Sequence, residues 1–296
     1  MSAYRSGFVS IVGCPNVGKS SIVNRLVGQK VSIVTNRAQT TRNKITGVLS
    51  RDGYQIVFLD TPGMTEARNK LGEYMQKVVI DSLDSIECAL FVADATQGIR
   101  EKDEMLLEQL RKRKLPKVAA VNKIDAASHS DVEECVSKLE EAGCFDSVLK
   151  ISAQDGKGFE ELERKLTEYL VEGPQYFPDD MVTDQPERIL CGEIIREKSL
   201  QLLKEEVPHG IGVSIDRIDT REGGKLMDVY AAIYCERPSH KGIIIGNKGS
   251  MLKTIGQQSR KDIEELLDCH VNLQIWIKVK EDWRNKPSVL HELGYE

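Results

Sequence analysis

The spacing of apolar residues changes character along the chain. From Phe8 to about Leu170, short runs of consecutive aliphatic and β-branched residues alternate with stretches in which apolar positions recur every three or four residues. The short runs are FVSIV, YQIVFLD, CALFVAD, KVAAVN and SVLKIS, and near-continuous apolarity of that length is what a strand covered on both faces requires. The stretches between them predict helices that include Lys19 to Leu26, Lys102 to Lys112, Asp131 to Glu141 and Phe159 to Leu170. Strand–helix alternation predicts parallel βαβ units with helices on both faces of one sheet. KITGVL and YQIVFLD, separated only by Ser50, Arg51, Asp52 and Gly53, predict a hairpin that adds an antiparallel edge.

This pattern stops between Glu172 and Arg188, where three prolines and four acidic residues before Pro186 predict an extended, acidic connector. A first domain over residues 1–172, a connector over 173–186 and a second domain over 187–296 are therefore expected. In the second, Glu187 to Glu206 reads as a long helix with Ile189, Leu190, Ile194, Ile195, Leu200, Leu202 and Leu203 as its apolar positions. GVSIDRID and LMDVYAAIYCE then read as strands joined by TREGGK, in which Gly223 and Gly224 suit a hairpin turn. HKGIIIGNKGSMLKTIG follows, then a helix from Met251 to Leu267 and a strand HVNLQIWIKV. No internal repeat or low-complexity tract is present.

Composition narrows the class. A chain of 296 residues has room for two cores, and 40% apolar with 29% charged residues is ordinary for a globular protein. No stretch approaches the ~18 uncharged apolar residues of a membrane-spanning helix, and no signal peptide is recognisable before the first strand. Seven scattered cysteines, never spaced as CxxC, argue against a disulfide framework or zinc site and for reduced thiols in the cytoplasm. His209, His240 and His270 have no metal-ligand neighbours and read as structural, and Trp276 reads as core or sheet surface. A net charge of −5 argues against a globally basic nucleic-acid binder, although a local patch would be invisible in that sum.

Chemistry concentrates where strands end. GCPNVGKSS, comprising Gly13, Cys14, Pro15, Asn16, Val17, Gly18, Lys19, Ser20 and Ser21, lies between a strand and a helix and fits G-x-x-x-x-G-K-[ST]. Gly13 and Gly18 let the backbone wrap phosphate with N–H groups, Lys19 can reach the terminal phosphates, and Ser20 can hold magnesium. Asp60, Thr61, Pro62, Gly63 and Met64 close another strand: Asp60 can reach the magnesium shell, and the Gly63 N–H can bond a γ-phosphate. Asn122, Lys123, Ile124 and Asp125 end a third. A carboxylate at Asp125 accepting from guanine N1–H and its exocyclic amine would be left unpaired by adenine, so it selects guanine. Ser152 and Ala153 follow the last strand and can support the base through backbone.

Four such elements in this order resemble the P-loop GTPases. The resemblance implies GTP and GDP binding, Mg²⁺, hydrolysis, and switch segments that order around the γ-phosphate. The first switch would be Gln29 to Lys44, with Thr40 or Thr41 joining the magnesium; Thr41 is favoured because it directly precedes Arg42. Met64 stands where small signalling GTPases carry a water-orienting glutamine, and a thioether can neither take nor position a proton, so slow intrinsic hydrolysis is expected. Families with an apolar residue there often use K⁺ held partly by a phosphate-loop asparagine. Asn16 is at that place, with hydrogen bonding inside the loop as the alternative role.

GIIIGNKGS fails as a second phosphate loop. Lys248 precedes its glycine, and Gly246 and Gly249 are too close together. Gly246-Asn247-Lys248-Gly249 between two helices instead resembles the loop of the KH module, which clamps about four nucleotides of single-stranded RNA. Six basic residues and no acidic one lie between Arg237 and Lys261, Lys241, Lys248 and Lys253 among them, whereas residues 187–296 as a whole carry 17 basic against 18 acidic. The order helix, strand, strand, helix, GxxG, helix, strand matches the type II KH fold.

The fold expected is thus α/β: a doubly wound, mainly parallel P-loop GTPase sheet followed by a smaller α+β type II KH domain. One such GTPase domain, the acidic connector and one KH domain together resemble the Era family of bacterial GTPases over almost the whole chain; NRAQTTRNKITGV, DTPGM and ISAQDGKGFEEL carry the match. Membership would imply a monomeric, cytoplasmic assembly factor of the small ribosomal subunit that binds the 3′ end of its ribosomal RNA, favoured by GTP, with peripheral contact to the inner face of the cell membrane as a further family property. Gly246, Asn247, Lys248 and Gly249 would form the RNA clamp, and Ile243, Ile244, Ile245 and Leu252 its apolar wall. The rival reading is a regulatory GTPase acting on protein or membrane partners, with the C-terminal domain as a docking module.

Overall fold

The computed structural model describes residues 3–221, 223 and 225–295. The chain divides into two compact units: the described residues through Val34 with Thr41–Ala67 and Gly72–Asp184, and Thr35–Thr40 and Arg68–Leu71 with the chain from Gln185 onward.

The first unit contains β1 (Arg5–Val12), α1 (Lys19–Val27), β2 (Ile45–Arg51), β3 (Tyr54–Asp60), α2 (Lys70–Asp81) from Gly72 onward, β4 (Cys88–Asp94), α3 (Glu101–Arg111), β5 (Lys117–Asn122), α4 (His129–Glu141), β6 (Ser147–Lys150), α5 (Phe159–Thr167) and the short β7 (Val171–Glu172). The sheet order is β2-β3-β1-β4-β5-β6. β3, β1, β4, β5 and β6 run parallel, while β2 pairs antiparallel with β3 across a two-residue Asp52-Gly53 turn. Every residue of β4 and β5 is buried, as the unbroken apolar runs predict for central strands. Ile22, Val23, Leu26, Phe159, Leu162 and Leu166 of α1 and α5 cover one face. Val79, Leu106, Leu107, Leu110, Val132, Cys135 and Leu139 of α2, α3 and α4 cover the other. Parallel strands carry all their carboxyl ends to one edge, which is where ligands bind in open α/β sheets.

The connector is extended, as its prolines require, but it is tied down. The Gln55 side chain accepts from the backbone N–H of Tyr176 and Phe177 at 2.9 and 3.0 Å and donates to the Phe177 carbonyl at 2.9 Å. Val48 donates its N–H to the Val182 carbonyl at 2.8 Å, and the Tyr176 ring lies 5.0 Å from that of Phe8. The segment through Asp184 therefore folds with the first sheet.

The second unit contains α6 (Glu187–Leu202), β8 (Gly212–Arg221), β9 (Leu226–Cys235), α7 (Pro238–Ile245), α8 (Ser250–Leu267), β10 (His270–Val279) and α9 (Pro287–Glu292). Its sheet has the order β10-β9-β8, with β10 parallel and β8 antiparallel to β9. Gly223 takes φ 64°, and Gly224 of the expected turn lies outside the described residues. Cys191 and Ile195 of α6, Ile244 of α7, and Ile255 and Ile263 of α8 pack on Ile215, Val229, Ala231, Ile233 and Val271, making two layers. The C-terminal stretch is anchored by Trp283, wholly buried, whose indole N–H donates to the Gly210 carbonyl at 2.9 Å.

Candidate functional site

Gly13–Gly18 turn between β1 and α1, Asp60 ends β3, Asn122 ends β5 and Ser152 follows β6, so the four sequence elements meet at one sheet edge. Gly18 caps α1 at φ 102° and lies so close to Asn122 that a Cβ there would fall 2.3 Å from the Asn122 amide nitrogen. That amide donates to the Val17 carbonyl at 2.8 Å, while its oxygen accepts from the Ala153 N–H at 2.9 Å. Asn122 thus bolts the phosphate loop to the segment expected to support a base. Ser152 donates to Asp125 Oδ1 at 2.5 Å, orienting that carboxylate. Arg25 of α1 grips the carbonyls of Ala153 and Gln154 at 2.9 and 2.7 Å.

Lys19 is buried, with Nζ donating to the Gly13 and Cys14 carbonyls at 3.0 Å each. Burial lowers its pKa to about 8, against the opposing pull of Asp60. The Ser20 hydroxyl donates to Asp60 Oδ2 at 2.7 Å and lies 3.0 Å from the Thr41 hydroxyl. Asp60 is fully buried; burial raises its pKa against hydrogen bonding from Ser20 and the charge of Lys19, and its second oxygen, Oδ1, has no hydrogen-bond partner among the described residues. Thr40 turns elsewhere: its hydroxyl donates to the Arg37 carbonyl at 2.7 Å. Three hard oxygen donors, one of them an unpartnered buried carboxylate oxygen, suit a small divalent cation.

Cys14 and Val17 are buried in the apolar core beneath the loop. Thr61 is fully buried and donates to the Ile11 carbonyl at 2.7 Å. Met64 is buried among Val12, Leu106 and Leu107, and its N–H donates to the Gly13 carbonyl at 3.1 Å. A Cβ on Gly63 would sit 2.6 Å from Pro15, so glycine is required for that close approach. Asn16 lies exposed at φ 64°. Lys123 lays its ammonium on Asp94 at 2.7 Å. Asp94 was missed from sequence although it ends CALFVAD in the same way that Asp60 ends YQIVFLD. Burial opposes its ionisation, but hydrogen bonds from Lys123 and Thr96 outweigh that and hold its carboxyl below the ordinary value.

In the second unit Gly246, Asn247, Lys248 and Gly249 join α7 to α8 as expected. Gly246 takes φ 74° and approaches α8 so closely that a Cβ would lie 2.7 Å from that of Met251. Lys248 and Gly249 are also left-handed, at φ 49° and 80°, and this turn exposes Asn247 and Lys248. Arg237, Lys241, Lys248, Lys253, Arg260 and Lys261 are all exposed, and none forms an ion pair among the described residues. The expected apolar wall needs correction. Ile244 points inward and is fully buried in the domain core, Ile245 and Leu252 are partly buried, and Ile243 alone is largely exposed at 49%. Three consecutive isoleucines on one helical turn cannot share a face.

Comparison with known proteins finds a match for each domain. Residues 8–123 match the family described as "50S ribosome-binding GTPase", and residues 206–284 match the KH domain. The chain is 48% identical over 294 residues to the GTPase Era of Alkaliphilus metalliredigens, covering 99% of this chain and 100% of that one. It is 47% identical to the GTPase Era of Clostridioides difficile, covering 99% of each. Among solved structures, an Aquifex aeolicus Era variant bound to GDP·AlF4⁻ superposes with a TM-score of 0.94 at 38% identity, over 98% of this chain and 99% of that one. Era in complex with MgGDPNP and nucleotides 1506–1542 of 16S ribosomal RNA superposes with 0.95 at 38% identity, over 99% of each. With two domain families matched in order and full-length relatives near half-identical, the chain belongs to the Era family of GTPases.

Proposed function

We propose that this protein is a GTP-hydrolysing assembly factor of the small ribosomal subunit, which binds the 3′ region of that subunit's RNA through Gly246–Gly249 in a nucleotide-dependent way. The observation that carries the nucleotide half is the convergence of Ser20, Thr41 and Asp60 oxygens beside buried Lys19. In this reading the backbone N–H groups from Gly13 to Ser20 and the Lys19 ammonium hold the phosphates, and Asp125, oriented by Ser152, reads guanine. Ser20, Thr41 and Asp60 would hold Mg²⁺, which when bound neutralises charge on the β- and γ-phosphates. Thr41 belongs to the expected first switch, so its engagement ties that segment to the nucleotide state.

Water attack on the γ-phosphate leaves GDP and phosphate. No side-chain base stands at residue 64, since Met64 is packed away in the core, which supports slow intrinsic turnover. K⁺ beside Asn16 would supply part of the missing charge; equal hydrolysis rates in Na⁺ and K⁺ buffers would remove that element. The relative solved with 16S ribosomal RNA supports the RNA half, as do the exposed Lys248 and its uncompensated basic neighbours. Action in the cytoplasm follows from such a substrate, and no helix among the described residues is long and apolar enough to cross a membrane.

The test is titration of a fluorescent GTP analogue with and without Mg²⁺, on Thr41→Ala and Thr40→Ala proteins. Thr41→Ala is expected to abolish the Mg²⁺-dependent gain for the GTP analogue while sparing GDP, and Thr40→Ala to retain it. The reverse pattern would assign the role to Thr40.

A further inference from the structure

The face of the second sheet turned away from α6, α7 and α8 carries a feature that the GNKG loop leaves unused. Side chains alternate along a strand, so Val271, Leu273, Ile275, Ile277 and Val279 of β10 face the helices, and Asn272, Gln274, Trp276 and Lys278 face away. Trp276 is 47% exposed. It pairs in register with Ala232, whose small side chain lets the indole lie across β9 toward Tyr230, with ring centroids 6.0 Å apart and planes within 14°. From the β8 side, the Arg217 guanidinium covers the Tyr230 ring at 4.6 Å. Arg217, Tyr230 and Trp276 thus form a stack across three strands, ending in a partly open indole.

We propose that this indole is a stacking platform for an unpaired nucleobase of the RNA strand as it leaves the GNKG cleft. The proposal rests on the RNA reading of that cleft. Continuity is the first support. β10 is an edge strand, and α7 and α8, which flank the loop, both pack against it. A strand running along the cleft therefore has to cross only that edge to reach Trp276.

The surroundings are the second support. Docking of a folded protein calls for a contiguous apolar patch of roughly several hundred Å², but Trp276 is the one large apolar side chain more than a third exposed on this face among the described residues. Its neighbours are polar and already paired: Lys278 with Asp216 at 3.1 Å, Arg217 with Asp219 at 2.8 Å, Arg221 with Asp228, and the Tyr234 hydroxyl with Glu292 at 2.6 Å. A face whose charges are compensated offers a π surface and little for phosphate. Every base has a π-face, so such a platform tolerates sequence and works beside a charged clamp.

The experiment compares an RNA of about four nucleotides, which fills the cleft, with 5′- and 3′-extended RNAs of about ten nucleotides, within the site sizes of stacking grooves. Trp276→Ala is expected to weaken one extended RNA about tenfold, with the loss little changed by salt, and to leave the short RNA unaffected. Trp276→Phe should recover most of it. Wild-type tryptophan emission should be quenched by that extended RNA only; Trp283 is buried and serves as an internal check that each variant is folded. Unchanged affinity of Trp276→Ala for both extended RNAs, or an equal loss on short and long RNA, overturns the platform. Lys248→Asp separates the two readings: if it spares the short RNA, the clamp reading fails instead.

Discussion

The chain contains two glycine-bracketed loops that each hand over to a helix, and their difference lies in where lysine stands. In the first, Gly18 caps α1 and Lys19 is its first helical residue, so the ammonium folds back over the loop and is buried against the Gly13 and Cys14 carbonyls. In the second, Gly249 caps α8 from a similar left-handed conformation, but Lys248 precedes it and is exposed. A lysine inside the helix start encloses a compact terminal phosphate. A lysine before it lies open to an extended sugar-phosphate chain. One-residue placement thus separates a nucleotide loop from a nucleic-acid loop built on the same backbone affinity for phosphate.

The largest effect that tests this contrast is expected from Lys19→Ala. Loss of a buried charge-assisted contact to phosphate is worth about 3 kcal/mol, or roughly two orders of magnitude in GTP affinity by titration. Binding of a short RNA should survive it. Gly246→Ala ranks next, because it combines positive φ with a 2.7 Å contact to Met251, whereas a Cβ at Gly249 meets nothing within 4 Å. Thermal unfolding should show Gly246→Ala costing about 2 kcal/mol and Gly249→Ala about 1 kcal/mol.

Lys248→Asp should weaken RNA about tenfold, lower the salt slope by about one and leave GTP affinity unchanged. The last effect concerns pH. Lys19 sits near pKa 8 in the free protein, and phosphate binding needs its proton. GTP affinity should therefore hold below pH 8 and fall above it, by up to about tenfold per unit. A flat affinity profile to pH 10 would remove the role assigned to its burial.

Much of this was legible in sequence because the informative residues end strands. An apolar run of fixed length finishing in Asp60, Asn122 or Asp125's neighbourhood sets both the strand and the side chain at its tip. Asp94 obeys the same logic, yet no motif surrounds it, and only its ion pair with Lys123 reveals its part. The α2 helix, which was not among the helices read from the sequence, shows one apolar face through Leu71, Met75 and Val79, with Asn69, a residue type that favours helix starts, just before it. Residues Ile243 to Ile245 could not be oriented because an unbroken run has no period; packing turns Ile244 inward. The connector's extended form follows from its prolines, whereas its attachment to Gln55 depends on a side chain more than 120 residues away and leaves no local signal.

The most direct test of the account is to crosslink the full chain to small-subunit ribosomal RNA in the GTP and GDP states, then sequence the RNA and map the peptides. A single dominant site near the RNA 3′ end, joined to the peptide containing Gly246–Gly249 and strengthened by GTP, is the predicted result. Dispersed sites, or a pattern that Lys248→Asp leaves intact, would contradict it.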